Sequence, residues 1–295
     1  MNIVVFGARG VLGESVCRAL ERQGHRVRRA ARHGADLAVD FRFDLSAATL
    51  RAAVRGMDIV VNATGILIER EGDTWDRVHH AAVDALAAAC EAERVARIVH
   101  VSALGVGTGL GGGYMRSKLA GEQALARRGV DYAIVRPSLL VDEGCASTRL
   151  FRALCALPVI ALPGLRDPGG SRIAPVQVAD VADCIAAIVA HPKALRRVIE
   201  LEGPERLSYR AMLERLRAAQ GRGRALWVPL PWWLVRATAW LALAWPQRVI
   251  SPDTVRMLHA AREGRSETTQ WLRREPLPLD APPPSAPSAA VAGIA

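Results

Sequence analysis

Residues 6–13 read "FGARGVLG", and they follow the short apolar run "NIVVF" at 2–6. Glycine recurs at every third position, Gly7, Gly10 and Gly13, while Leu12, Val16 and Leu20 repeat at helical spacing until Gly24 stops the pattern. The stretch is therefore a strand, a tight turn and the start of a helix. Glycines let the backbone turn sharply and approach a ligand closely, and a helix N-terminus presents unpaired N–H groups and a partial positive charge. A pyrophosphate suits that place, which makes Gly7, Gly10, Val11, Leu12 and Gly13 candidate contacts. Arg9 is the exception, a long cation in a turn of small residues.

Outward from the turn, apolar runs alternate with helical stretches. "HRVRRA" and "LAVDFRFDL" read as second and third strands, "MDIVVNATG" and "ARIVHVSALG" as buried fourth and fifth strands, and "VDYAIVRPS" as a sixth. Helices are expected at "DTWDRVHHAAVDALAAACEAE" and "YMRSKLAGEQALARR". This order predicts an α/β fold, a doubly wound parallel sheet with its ligand at the carboxyl ends of the strands. The pattern loosens near residue 143. We expect a nucleotide domain over 1–142, a small C-terminal substrate lobe over 143–275 that returns to the main sheet, and a disordered tail over 276–295, where "PPPSAPSAAVAG" lies.

The second strand carries the next clue. Domains that prefer NAD place an acid at its end to bind the ribose 2′-hydroxyl. Here no acid occurs between Glu21 and Asp36, while Arg22, Arg26, Arg28, Arg29 and Arg32 do. The pattern predicts NADP(H) over NAD(H), with Arg9 and Arg32 on the 2′-phosphate; solvated arginines are the alternative. Asp44 and Leu45, after the third strand, fit beside the adenine. Asn62, Ala63, Thr64 and Gly65 end the fourth strand, where backbone would run along the ribose and phosphates.

Tyr114 and Lys118 stand four residues apart on the second of those helices, so both side chains reach one ligand. A phenol can exchange a proton with a substrate oxygen, the more readily if an ammonium lowers its pKa, and a lysine can also hold a nicotinamide ribose. Of 39 basic residues only Lys118 and Lys193 are lysines, so a lysine at this spacing stands out. A surface helix with a Lys118–Glu122 pair is the plain alternative.

In order, "GARGVLG", "FDL", "NATG", "HVSALG", "YMRSKLAGEQAL", "VRPSLL", "PVQVADVA" and "LEGPERLSYRAML" resemble the atypical short-chain dehydrogenases/reductases. The branch most resembled contains the NADPH-binding accessory subunit of respiratory complex I and its bacterial relatives. The resemblance covers about residues 1–215 and implies a Rossmann-type domain, NADP(H) binding with Pro137 added to the cofactor contacts, and catalytic roles for Tyr114, Lys118 and Ser102. Two departures bear on catalysis. Ser102 stands one step early, with Leu104 at the expected place, and Asp142 in "LLVDEG" replaces the usual aromatic and glycine. The loop before Tyr114, "GVGTGLGGG", holds six glycines in nine residues and is expected to be mobile. Three functions stay open: an oxidoreductase on a small carbonyl, alcohol or quinone-type substrate; a nucleotide-binding accessory or assembly protein; and a sugar-nucleotide epimerase or dehydratase. Arg149, Arg152 and Gln177 are possible pocket residues.

Composition narrows the partners. The chain of 295 residues has a net charge of +10, spread along its length, with no basic block interleaved with aromatics, so nucleic acid is not expected. Five cysteines form no CxxC pair and no metal-ligand spacing, which suits reduced thiols, a cytoplasmic setting and no metal. Residues 227–246, "WVPLPWWLVRATAWLALAWP", hold five of the seven tryptophans. Between Pro231 and Pro246 a helix would reach only about 21 Å, too short for a bilayer core of about 30 Å. The segment is expected to be a helix, with Arg236 on a wet edge and Trp232, Trp233, Trp240 and Leu243 buried. It either packs over the lobe or meets a membrane surface or protein partner, placing the protein peripherally at the inner face of the membrane.

Overall fold

β1 (Asn2–Phe6) is buried from Ile3 onward and lies inside the sheet, paired on both sides. The computed structural model describes residues 1–70, 72–109, 112–163, 172–231, 233–234, 253 and 265–281. After β1 come α1 (Val11–Arg22), β2 (Arg26–Ala31), β3 (Leu37–Ala38), α2 (Ala47–Val54) and β4 (Ile59–Asn62). A π-helical turn, Asp76–Ala81, leads into α3 (Ala82–Ala92), followed by β5 (Arg97–Val101), α4 (Gly112–Ala126) and β6 (Asp131–Pro137).

The lobe starts with β7 (Leu140–Val141), α5 (Ala146–Cys155), β8 (Val159–Pro163), β9 (Arg172–Ile173) and β10 (Val176–Gln177). The chain then returns through α6 (Val178–Val189) to β11 (Arg197–Leu201), and continues as β12 (Leu207–Ser208), α7 (Tyr209–Ala219), β13 (Leu226–Leu230) and α8 (Thr268–Leu272).

Seven strands form one parallel sheet in the order β3-β2-β1-β4-β5-β6-β11. The order reverses between β1 and β4, so the carboxyl ends of these two strands open the crevice in which such sheets bind ligands. Both faces are covered because successive side chains point to opposite sides. Ile3 and Val5 pack with α1 and α6, while Val4 and Phe6 pack with α2 and α3. The third strand is shorter than the sequence suggests, since Asp40 chelates Arg42 and folds the chain into a turn. A third core, with Cys155, Ile160, Met212 and Leu213, belongs to the lobe.

Two expectations change. The tail does not begin at 276: Leu279 is buried, Gln177 Nε2 donates to the Pro278 and Leu279 carbonyls, and the Leu277 N–H donates to Asp180. Residues 282–295 lie outside the described residues. The Trp-rich stretch also does not start as a helix, because 226–230 pair with β8 as a strand. Val228 favours an extended chain, and Pro229 and Pro231 cannot supply the N–H groups of a helix interior. Trp233, expected to be buried, is 70% exposed; Trp232, Arg236, Trp240 and Leu243 lie outside the described residues.

Candidate functional site

The turn after β1 is shaped by contacts between its own elements. Gly7 has φ +78°, and a side chain there would lie 2.9 Å from backbone atoms of Ala63 and Thr64. A side chain on Gly13 would lie 2.1 Å from the Gly7 carbonyl oxygen. These two glycines let α1 and the end of β4 close on the turn. Gly10 is exposed, and it is the N-cap of α1 with no side-chain hydrogen bond. By contrast, α2 and α7 are capped by the hydroxyls of Ser46 and Ser208. The first turn of α1, from Val11 to Gly13, thus keeps its backbone donors free of a side-chain cap, which fits a pyrophosphate.

The two arginines differ. Arg9 is exposed, its guanidinium 3.8–3.9 Å from where a Gly34 side chain would begin, so it reaches the loop after β2. It has no ion pair among the described residues. Arg32 donates to Asp73 at 3.2 Å, and Asp73 also lies 3.9 Å from Arg42. The fold therefore brings an acid, from the loop after β4, to a place where the second strand supplies none. Asp44 is engaged locally: it accepts from Ser46 N–H at 2.8 Å and from the Thr49 hydroxyl at 2.5 Å, bonds that hold its carboxyl below the usual range. Leu45 packs beneath it against the core. Asn62 is buried, accepts from Thr64 N–H at 3.1 Å and contacts His100 at 3.3 Å, and so shapes the loop at Ala63 and Thr64.

Lys118 is brought to that loop, and Tyr114 to its neighbour His79. A side chain on Gly65 would begin 3.4 Å from Lys118 Nζ and 3.7 Å from His79 Nε2. Lys118 is buried and donates to the Val101 carbonyl at 3.1 Å; burial pushes its pKa down to about 8, opposed by Glu122. The Tyr114 ring stands edge-on to His79 and Trp75, at 5.2 and 6.3 Å between centroids. Burial pushes its pKa up to about 12, the opposite of the lowering expected from Lys118.

His79 was not singled out in the sequence. Its Nε2 accepts from Ile66 N–H at 3.1 Å, so Nδ1 carries the proton and donates to Ser117 Oγ at 3.0 Å; Ser117 donates in turn to the Tyr114 carbonyl. Burial, with Lys118 and His100 nearby, lowers its pKa to about 2 and keeps it neutral. α4 approaches the π-helical turn so closely that a side chain on Gly121 would begin 1.9 Å from the His79 carbonyl oxygen. A glycine inside a helix, three residues beyond Lys118, was the available signal.

Ser102 is placed differently. It is buried, and its hydroxyl donates to Glu122 at 2.5 Å. Glu122 also accepts two bonds from Arg136, at 2.9 and 2.5 Å, and Arg136 lies 3.7 Å from Glu200. The Ser102 proton is committed to this network. Leu104 donates its N–H to the carbonyl of buried Pro137 at 2.9 Å, which fixes the loop beyond it on β6. The pocket roles considered for Arg149, Arg152 and Gln177 also give way to local contacts: Arg149 holds the Gly144 carbonyl, Arg152 pairs with Glu143, and Gln177 binds 278–279. Among the described residues no group of His, Cys, Asp and Glu could hold a metal.

Comparison with known proteins agrees with this geometry. The family described as NAD(P)H-binding matches residues 7–192. A ceramide reductase of Caulobacter vibrioides is 30% identical over 218 residues, which are 70% of this chain and 66% of that protein. The mitochondrial NADH dehydrogenase [ubiquinone] 1 alpha subcomplex subunit 9 of Rattus norvegicus is 28% identical over 218 residues, 68% of this chain and 56% of that one. The match thus spans little more than half to about two thirds of these relatives. An NADPH-dependent quinone oxidoreductase from Escherichia coli, solved with NADPH, has the same fold, with a TM-score of 0.72 at 17% identity over 94% of this chain and 97% of that one. A nucleoside-diphosphate-sugar epimerase from Staphylococcus aureus gives 0.75 at 19% identity, over 95% and 98%. With its uncapped glycine turn at the switch point of a parallel sheet, the chain belongs to the NAD(P)H-binding family, as an atypical short-chain dehydrogenase/reductase.

Proposed function

We propose that this protein is an NADP(H)-dependent oxidoreductase that reduces a carbonyl or quinone-type substrate. The observation that carries the reading is that Lys118 Nζ and His79 meet at Gly65, at the end of β4, with the Tyr114 ring edge-on to that histidine, beside the turn that would hold the dinucleotide. Gly7, Gly10, Gly13 and the first turn of α1 would hold the pyrophosphate, and Arg9 the 2′-phosphate. When bound, the reduced nicotinamide supplies hydride to the substrate's carbonyl carbon. Tyr114 gives its hydroxyl proton to the carbonyl oxygen, completing the alcohol. The Lys118 ammonium stabilises the phenolate left behind, offsetting the burial that raises the Tyr114 pKa. The ceramide reductase relative supports reduction over epimerisation.

A second reading, a nucleotide-binding accessory protein, rests on Ser102. With its proton held by Glu122, no hydroxyl from that position is free to orient a substrate oxygen. The rat subunit supports this alternative.

Calorimetry with NADPH and NADH, and NADPH consumption against a panel of carbonyls and quinones, separate these readings. Wild type should bind NADPH more tightly, and Arg9→Ala should lose tenfold or more of that affinity, since a hydrogen bond to a charged group contributes about 1.5–3 kcal/mol. Asp73→Asn should widen the preference by freeing Arg32. Equal affinities in the wild type refute the NADP(H) assignment, and binding without turnover on any substrate selects the accessory reading.

A further inference from the structure

β8 and β13 form a two-stranded parallel sheet whose inner side chains, Ile160, Leu162 and Trp227, join the lobe core. Alternation turns Val159, Ala161, Leu226 and Val228 outward together, with Leu226 paired to Val159 and Val228 to Ala161. A sheet face in water ordinarily carries polar residues. Here every one of the four is apolar and exposed, Leu226 at 65%, and Leu157 just before β8 and Trp233 just after β13 are exposed too, Trp233 at 70%.

Charge indicates what covers it. From Glu214 to Asp253 the sequence contains no carboxylate and six arginines, and residues 144–166 likewise have no acid but carry Arg149, Arg152 and Arg166. Arg215 and Arg217 are used inside the lobe, Arg215 with Glu205 and Asp280, Arg217 with backbone carbonyls. Arg222 and Arg224 are exposed, and Arg222 bonds the Ala156 carbonyl, which sets it at the start of β8. β13 therefore leaves an exposed basic pair, Arg222 and Arg224, just before it and an exposed tryptophan, Trp233, just after it. Two copies meeting through this face would bring like charges together, which opposes self-association. An anionic bilayer satisfies both features: its phosphates pair with arginine, and tryptophan prefers its headgroup level. No described helix is long and apolar enough to cross a membrane.

We infer that the β8/β13 face, with Leu226, Val228 and Trp233 flanked by Arg222 and Arg224, docks the protein on an anionic lipid surface. This is independent of Tyr114 chemistry. The full chain should co-sediment with phosphatidylcholine vesicles containing phosphatidylglycerol, and only weakly with phosphatidylcholine alone. Arg222→Gln with Arg224→Gln, which leaves the lobe core intact, should weaken partition roughly thirtyfold, at about fivefold per basic residue near the surface. Leu226→Asp with Val228→Asp should abolish it while circular dichroism stays unchanged, and Phe43→Ser, at another exposed apolar residue, should not affect it. Any of three results would overturn the inference: no binding by wild type, equal loss with Phe43→Ser, or a lipid-free dimer that the Leu226/Val228 variant dissolves.

Discussion

α4 carries two buried polar clusters of different kinds. Towards the π-helical turn, Tyr114, Lys118 and His79 share few strong bonds, and burial shifts each towards its neutral form, with pKa values of about 12, 8 and 2. Towards β5 and β6, Ser102, Glu122 and Arg136 are bound by a chelated ion pair and a short hydroxyl bond. On the proposed reading the first cluster exchanges a proton, while the second is tied up in its own bonds. One helix thus separates a group of residues suited to chemistry from a group that joins three elements of the fold.

The largest expected effect lies in the second cluster. Arg136→Ala leaves Glu122 charged and buried without its partner, and should cost about 3–5 kcal/mol of stability. Denaturant unfolding measures this, and a loss below 1 kcal/mol would mean that Glu122 is solvated or protonated. Next is Tyr114→Phe, which should lower turnover about a hundredfold while NADPH affinity is kept. Full activity in that variant would erase the contrast between the clusters.

Acid should distinguish them too. His79 and His100 are held neutral, His100 with a pKa of about 3 through burial and then Lys118. The unfolded chain binds protons at these residues below about pH 6.5 and the folded chain does not, so stability should fall as pH drops from 6.5 towards 3. His79→Asn should flatten that limb in pH-dependent unfolding. For Lys118 the sign is the same but the window is alkaline: between pH 8 and 10.5 the unfolded chain alone is protonated, and stability should rise with pH, a rise that Lys118→Met removes. The smallest effect on turnover is expected from Ser102→Ala, a change below tenfold, accompanied by a stability loss of about 1.5–3 kcal/mol for a bond to a charged group. A hundredfold fall in turnover at unchanged stability would instead put Ser102 beside Tyr114 in the reaction.

The sheet and the turn were legible because their causes are local. Alternating apolar runs define buried strands, and the glycines of 7–13 mark a turn whose spacing survives any tertiary arrangement. The Tyr114/Lys118 pair was legible for the same reason, since four residues on a helix always share a face. Three features were not. Asp73 reaches Arg32 across 41 positions, Glu122 accepts from the Ser102 hydroxyl across 20, and His79 meets Ser117 across 38. Each depends on where strand ends converge, which no window of neighbouring residues contains. The Trp-rich stretch is the converse case: its composition suggested a helix, but its first residues became a strand because β8 offered unpaired backbone and Pro229 and Pro231 denied the helix its donors. By itself the sequence determined the parallel α/β sheet, the glycine turn that opens α1 and the helix bearing Tyr114 and Lys118, all consequences of periodicity. Only the tertiary structure decided which polar groups are free to react and which are spent on one another, because burial and hydrogen bonding are properties of the assembled neighbours.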